Sequence, residues 1–170
     1  MAGSETHYEM PLPSFDKPVK VLIVLSPYYK DIADGLEAGA RSVLAEVGAE
    51  VDMVHVPGAL EIPTAIRVAH AQAEYDGYVA LGCVIRGETT HYETVCNDSS
   101  HGLMLLGLQG ALLGNGILTV ENKDQALVRA DPEGQNKGGG AAAAALHLIA
   151  LSRSYARQTK GIGFKAGTTQ

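Results

Sequence analysis

The stretch Val19-Lys20-Val21-Leu22-Ile23-Val24-Leu25 decides the fold class. It is nearly continuous, apolar and rich in β-branched residues. A strand with one wet face would alternate apolar and polar residues instead. Runs like this one suit strands covered on both faces, as in a parallel sheet. Tyr78–Ile85 (YVALGCVI) repeats the signal. Between the two, Ser26–Lys30 reads as a loop. Asp31–Val47 then sets Ile32, Leu36, Ala40, Val43, Leu44 and Val47 at helical spacing, and Gly48 follows as a stop. Val51–Val56 is a second strand, closed by Pro57-Gly58. Glu61–Ala73 reads as a helix that tolerates Pro63 in its first turn.

Beyond Ile85 the pattern continues. The loop RGETTH (86–91) leads into a helical stretch expected from about Tyr92 to Leu113. Ile117–Val120 is a short fourth strand. Lys123–Ala130 is a short helix and Ala141–Gln158 a long one. The glycine- and proline-containing DPEGQNKGGG (131–140) between them reads as a loop. Four β-α units with a further helix at the end predict an α/β sandwich. Its four-stranded parallel sheet is flanked by helices and its crossovers are right-handed. Residues 19–158 form one domain, with no internal repeat. Residues 1–18 and 159–170 are polar and are expected to be a flexible arm and a flexible tail. The sheet is small, so burial through self-association is expected.

Composition narrows the function. The 170 residues are 46% hydrophobic and 19% charged, enough for a core without metals or disulfides. A net charge of -6 argues against nucleic acid, whose phosphates need clustered Lys and Arg. It leaves room for a small anionic substrate. Cys83 and Cys96 are in no metal or redox spacing, and the six histidines form no HxxxH pair, so no metal is expected. The first 18 residues carry three prolines and no apolar h-region, and no apolar run approaches the ~18 residues of a membrane span. A cytoplasmic protein is expected.

In open parallel sheets, ligands bind beyond the carboxyl ends of the strands. SPYYK, PGALE, RGETTH and EN all fall there. Tyr28 and Tyr29 offer faces for a planar heterocycle, or one of them packs on the neighbouring helix. Glu61 accepts from polyol hydroxyls, or is a helix-start carboxylate favoured by the dipole. Spacing alone prefers the second. The amides of Glu88 and Thr89, with the Thr89 hydroxyl, suit a phosphate at a helix start. His91 suits general acid–base work, against the plainer reading of a capping residue. Arg129 and Asn115 should lie toward the amino edge of their own sheet. If they, or Lys137, serve a site, it is a neighbour's; solvated surface is the alternative.

PGALEIP, LGCVIRGETTHYETV, GILTVEN and the NKG segment occur in the order and approximate spacing of lumazine synthases. The chain resembles that family from Val19 to Tyr155. LGNGILTVEN is similar to the first of two forms found in some alphaproteobacteria. The resemblance implies a flavodoxin-like sandwich assembled as pentamers, or as icosahedral shells of pentamers, with active sites between subunits. It implies the penultimate step of riboflavin biosynthesis, with no cofactor. By the same resemblance Tyr28 stacks on the pyrimidine, and Ala59, Leu60 and Glu61 line the ribityl chain. Cys83, Val84 and Ile85 meet the pyrimidine through backbone. Glu88, Thr89 and the neighbour's Arg129 hold the phosphate, with Lys137 nearby, and His91 donates protons. Asn115 contacts the substrate from the neighbour where many members carry Phe. Pro27 and Gly140 also depart from common family residues, which bears on affinity more than on reaction type. Other readings are a non-catalytic flavin or lumazine carrier, a shell protein, and a flavodoxin-type module. The last would want a Ser/Thr/Gly-rich loop after the first strand, which SPYYK is not.

Overall fold

A computed structural model describes residue 8 and residues 10–160. The remainder of the expected arm, residues 1–7 and 9, and residues 161–170 of the tail lie outside the described residues. The elements run β1 (Lys20–Leu25), α1 (Lys30–Glu46), β2 (Glu50–His55), α2 (Glu61–Gln72), β3 (Gly77–Ile85), α3 (His91–Leu108), β4 (Leu113–Val120), α4 (Lys123–Ala130) and α5 (Lys137–Lys160). The four strands form one parallel sheet in the order β2-β1-β3-β4. This is the three-layer α/β architecture expected, with the doubly wound order whose reversal lies between β1 and β3.

The two apolar runs occupy the centre of the sheet. Val21, Ile23 and Leu25 of β1 face one core with Leu36, Leu44, Leu146 and Ile149 of α1 and α5. Leu22 and Val24 face the other, with Ile62, Ile66, Leu103 and Leu106 of α2 and α3. Coverage on both sides is why these strands need no polar alternation. β2 is an edge strand, and its half-exposed pattern fits that place. Asp52 there pairs with Lys20 of β1 at 3.1 Å, and the Tyr75 hydroxyl donates to Asp52 at 2.9 Å. Asp52 is held below the usual carboxylate range by those two bonds, the lysine's first.

Helix ends follow their local chemistry. After α1, Gly48 takes φ 68°, and the amides of Gly48 and Ala49 reach back to the carbonyls of Ala45 and Leu44. That paired closure is the Schellman arrangement, and Gly48 stops the helix as expected. α3 ends in the same way, earlier than the sequence suggested. Gly110 takes φ 100°, Gly110 N donates to Gly107 O, and Ala111 N donates to Leu106 O. The expected helix to Leu113 therefore stops at Leu108. The freed residues lengthen β4, which begins at Leu113 rather than Ile117.

Of the segment read as a loop, residues 131–136 are turn and loop, but 137–140 are in fact the first turn of α5. Asn136 sits at φ 45° and its side chain accepts from Gly139 N at 3.0 Å, capping the helix. A Cβ on Gly138 would lie 2.0 Å from the Leu36 carbonyl of α1. Glycine there is a requirement of two helices in close contact, not a loop signal. Residues 10–18 run along the other end of α5. Leu12 and Phe15 pack on the core, and Arg153 donates to the carbonyls of Lys17 and Pro18. No helix among the described residues is long and apolar enough to cross a membrane.

Candidate active site

A cavity of about 360 Å³ opens at the carboxyl end of the sheet, across the β1/β3 switch point. Each wall is a strand exit. β1 delivers Ser26, whose amide continues the ladder to Leu81 O at 2.9 Å. Tyr28 and Tyr29 follow, edge to face with centroids 5.0 Å apart. Tyr28 is 73% exposed, so its ring is open to a ligand. Tyr29 lines the same cavity and also packs on the core. Burial pushes its phenol above the ordinary value.

β2 leads to Gly58, Ala59, Leu60 and Glu61. A Cβ on Gly58 would come within 2.9 Å of a Glu61 carboxylate oxygen, so that side chain folds back over the turn. β3 supplies Cys83, Val84 and Ile85. Burial pushes the Cys83 thiol up to about 12, which keeps it neutral and removes it as a nucleophile. Thr89 and His91 close the wall, and the His91 amide points to the Thr89 hydroxyl at 3.4 Å. Among the described residues no group of three or more His, Cys, Asp or Glu could hold a metal ion.

Of the residues singled out from sequence, Tyr28, Ala59, Leu60, Glu61, Cys83, Val84, Ile85, Thr89 and His91 come together. Glu88 is exposed on the same loop but is not in the wall. The fourth strand exit contributes no wall residue. The Asn122 side chain caps α4 by accepting from Gln125 N, and Glu121 accepts from Arg86. Asn115 lies inside β4, not before it, opposite Ala80 and five residues from the strand's carboxyl end. Arg129, in the last turn of α4, donates to Gln125 O at 3.0 Å, and Lys137 opens α5. None of these three lines this cavity in its own chain, as the topology required of Arg129 and Asn115.

Sequence reading placed Ser26, Gly58 and Gly87 at the pocket only as members of its loops, and missed Tyr92 and Val95. Tyr92 and Val95 follow His91 by one and four positions, so proximity was the available signal. It also missed Arg86 as an organiser. Its Nε donates to Glu121 at 2.7 Å, its NH1 donates to Glu93, and its guanidinium lies 4.1 Å over the Tyr92 ring. Arg86 holds the Glu93 carboxyl below its ordinary value. Among the described residues the cavity wall contains no lysine or arginine.

The comparisons with known proteins agree with this geometry. Residues 18–153 match the family model described as 6,7-dimethyl-8-ribityllumazine synthase. The chain is 55% identical to a protein of that name from Jannaschia sp., over 97% of this chain and 92% of the relative. It is 55% identical to one from Novosphingobium aromaticivorans, over 80% of this chain and 98% of the relative. A third, from Zymomonas mobilis, is 52% identical over 79% and 96%. With that match across the strands and loops that build the cavity, the chain belongs to the 6,7-dimethyl-8-ribityllumazine synthase family.

Proposed function

We propose that this chain condenses 5-amino-6-(D-ribitylamino)uracil with 3,4-dihydroxy-2-butanone 4-phosphate. The products are 6,7-dimethyl-8-ribityllumazine, inorganic phosphate and water, the penultimate step of riboflavin biosynthesis. The observation that carries the reading is one cavity in which the family's motif residues meet: Tyr28, Ala59–Glu61, Cys83–Ile85, Thr89 and His91.

The chemistry is addition and elimination. The uracil amine attacks the ketone and water leaves to give an imine. Phosphate is then eliminated, the enol left behind tautomerises to a ketone, and the second amine condenses with that ketone, releasing a second water and closing the ring. Each step moves a proton, and His91, exposed at the start of α3, is the group to carry it. Tyr28 stacks on the pyrimidine, the backbone of Cys83–Ile85 reads its edge, and Glu61 takes ribityl hydroxyls. The amides of Glu88 and Thr89 with the Thr89 hydroxyl hold the phosphate. Bringing two substrates together supplies much of the rate.

The phosphate needs a cation that the wall lacks. Arg129, Lys137 and Asn115 are proposed to reach the cavity from a neighbouring subunit of a homopentamer, alone or as a shell, in the cytoplasm. Support comes from the cation-free wall and from exposed Met104, Leu105 and Leu108 on α3. Lumazine formation followed by absorbance tests the whole reading. Arg129→Ala is expected to lose about 100-fold in kcat/KM, and His91→Ala less. Co-assembled Arg129→Ala and His91→Ala chains should recover activity, since some sites then draw both intact residues from different subunits. A folded oligomer that makes no lumazine but binds riboflavin tightly would sink the enzyme and favour a carrier.

A further inference from the structure

The loop that carries Thr89 has little to hold it. Residues 86–91 are exposed, and Thr90, at the N-cap of α3, makes no side-chain cap bond. The bonds that close this turn are long: His91 N to the Thr89 hydroxyl and Thr94 N to Thr90 O, both 3.4 Å. Yet proton transfer and phosphate binding need fixed positions. What spans the loop is Arg86. Its amide extends the sheet by one residue, donating to Val120 O at 2.9 Å. Its guanidinium then binds Glu121, just past β4, and Glu93 in the first turn of α3, and covers the Tyr92 ring between them. One planar group thus ties together the ends of β3 and β4 and the start of α3. Only Gly87–Thr90 separate Arg86 from His91.

We propose that Arg86 is a positioning residue, a clamp that fixes the Thr89–His91 turn against the end of the sheet. With two carboxylates on one guanidinium its charge is already answered, so it acts through geometry and not as a phosphate ligand. A fork with several N–H donors and a stackable face suits this three-sided contact, and an ammonium does not. The role rests on the reaction proposed above for the Thr89–His91 end of the cavity.

The experiment uses the full chain and its Arg86→Gln, Arg86→Lys, Glu121→Gln and His91→Ala variants. Amide hydrogen exchange at residues 88–92 needs no activity. It is expected to quicken in Arg86→Gln, to change less in Glu121→Gln, and to be only partly restored by Arg86→Lys. In turnover, kcat of Arg86→Gln should fall about 10- to 100-fold, as for a small misplacement of reacting groups. KM for the phosphorylated ketone should rise while KM for the ribitylaminouracil, held by the other walls, stays put. In a His91→Ala background the added kcat loss should largely vanish, because the two residues act as one unit. Unchanged exchange at residues 88–92, or a loss spread equally over both KM values, overturns the clamp. Quickened exchange in a protein that makes no lumazine supports the clamp and overturns only the reaction assigned to it.

Discussion

The two faces of the sheet are built to different completeness. On one, α1, α4 and α5 close on each other and on the strands through small residues. Ala40, Ala126, Ala142 and Ala145 are wholly buried, and Gly138 lets α5 rest on the α1 backbone. On the other, α2 buries only Ile62 and Ile66. There α3 leaves Met104 63%, Leu105 45% and Leu108 79% exposed, and α2 leaves Val68 49% exposed. The first face is the more tightly closed within the chain, although α4 and α5 still leave Val128 54% and Leu151 51% exposed on their outer sides. The second keeps apolar area in water, the mark of a surface that another protein covers. The helix that starts at the cavity with His91 is the same one that carries this exposed apolar strip, so the cavity and the strip share an element.

The sharpest break of this contrast is Gly138→Ala. Its new Cβ would stand 2.0 Å from a backbone carbonyl, a contact neither helix can relieve by a rotamer change. Urea denaturation should show a loss on the order of 3 kcal/mol or an unfolded chain. Gly107→Ala, on the looser face, meets nothing within 4 Å and should instead gain up to about 1 kcal/mol from helix propensity. Equal effects at the two glycines would abolish the distinction between the faces.

A second test strikes the looser face itself. Leu105→Glu with Leu108→Glu should leave far-UV circular dichroism intact but lower the sedimentation coefficient, since each buried leucine is worth about 2 kcal/mol to an interface. Activity should fall with assembly if sites are shared. A double variant that sediments like wild type would assign the strip to something other than a second copy.

Much of this architecture is legible in the sequence because burial writes itself into composition. Val19–Leu25 and Tyr78–Ile85 are apolar on both faces and sit at the centre of the sheet. The carboxyl-end rule then places His91 and the loops of the site before any side chain is seen. Two of the misreadings share one cause, glycine used for contact and not for turning. Gly114, left between the expected helix and the expected strand, lies inside β4, where a Cβ would meet the Ala141 carbonyl at 1.8 Å. Gly138–Gly140 looked like a loop and form the first turn of α5. Conversely Gly110, a true stop with φ 100°, was hidden in an apolar stretch. In the site, Arg86 was quoted with its motif but given no role, because its partners Glu93 and Glu121 are 7 and 35 residues away.

The smallest effect expected is also the one with the best-defined pH window. Asp31 in the first turn of α1 and Lys123 in the first turn of α4 are 2.7 Å apart, tying together two helix starts on the more tightly closed face. The hydrogen bond to Lys123 holds the Asp31 carboxyl below its ordinary 3.8, and the same bond holds the lysine above its ordinary 10.5. For the acid, a depressed folded value means its contribution is present above 3.8 and disappears as pH falls through the folded value. For the lysine, a raised folded value means its contribution is present below 10.5 and disappears as pH rises beyond it. A double-mutant cycle on Asp31→Asn and Lys123→Met, read from unfolding midpoints, should give a coupling that is flat from about pH 5 to 9 and shrinks on either side. Both groups are exposed, so salt should weaken the coupling throughout that window. A coupling that persisted at pH 2, or ignored salt, would mean that the two helix starts are joined by packing and that the ion pair merely decorates the contact.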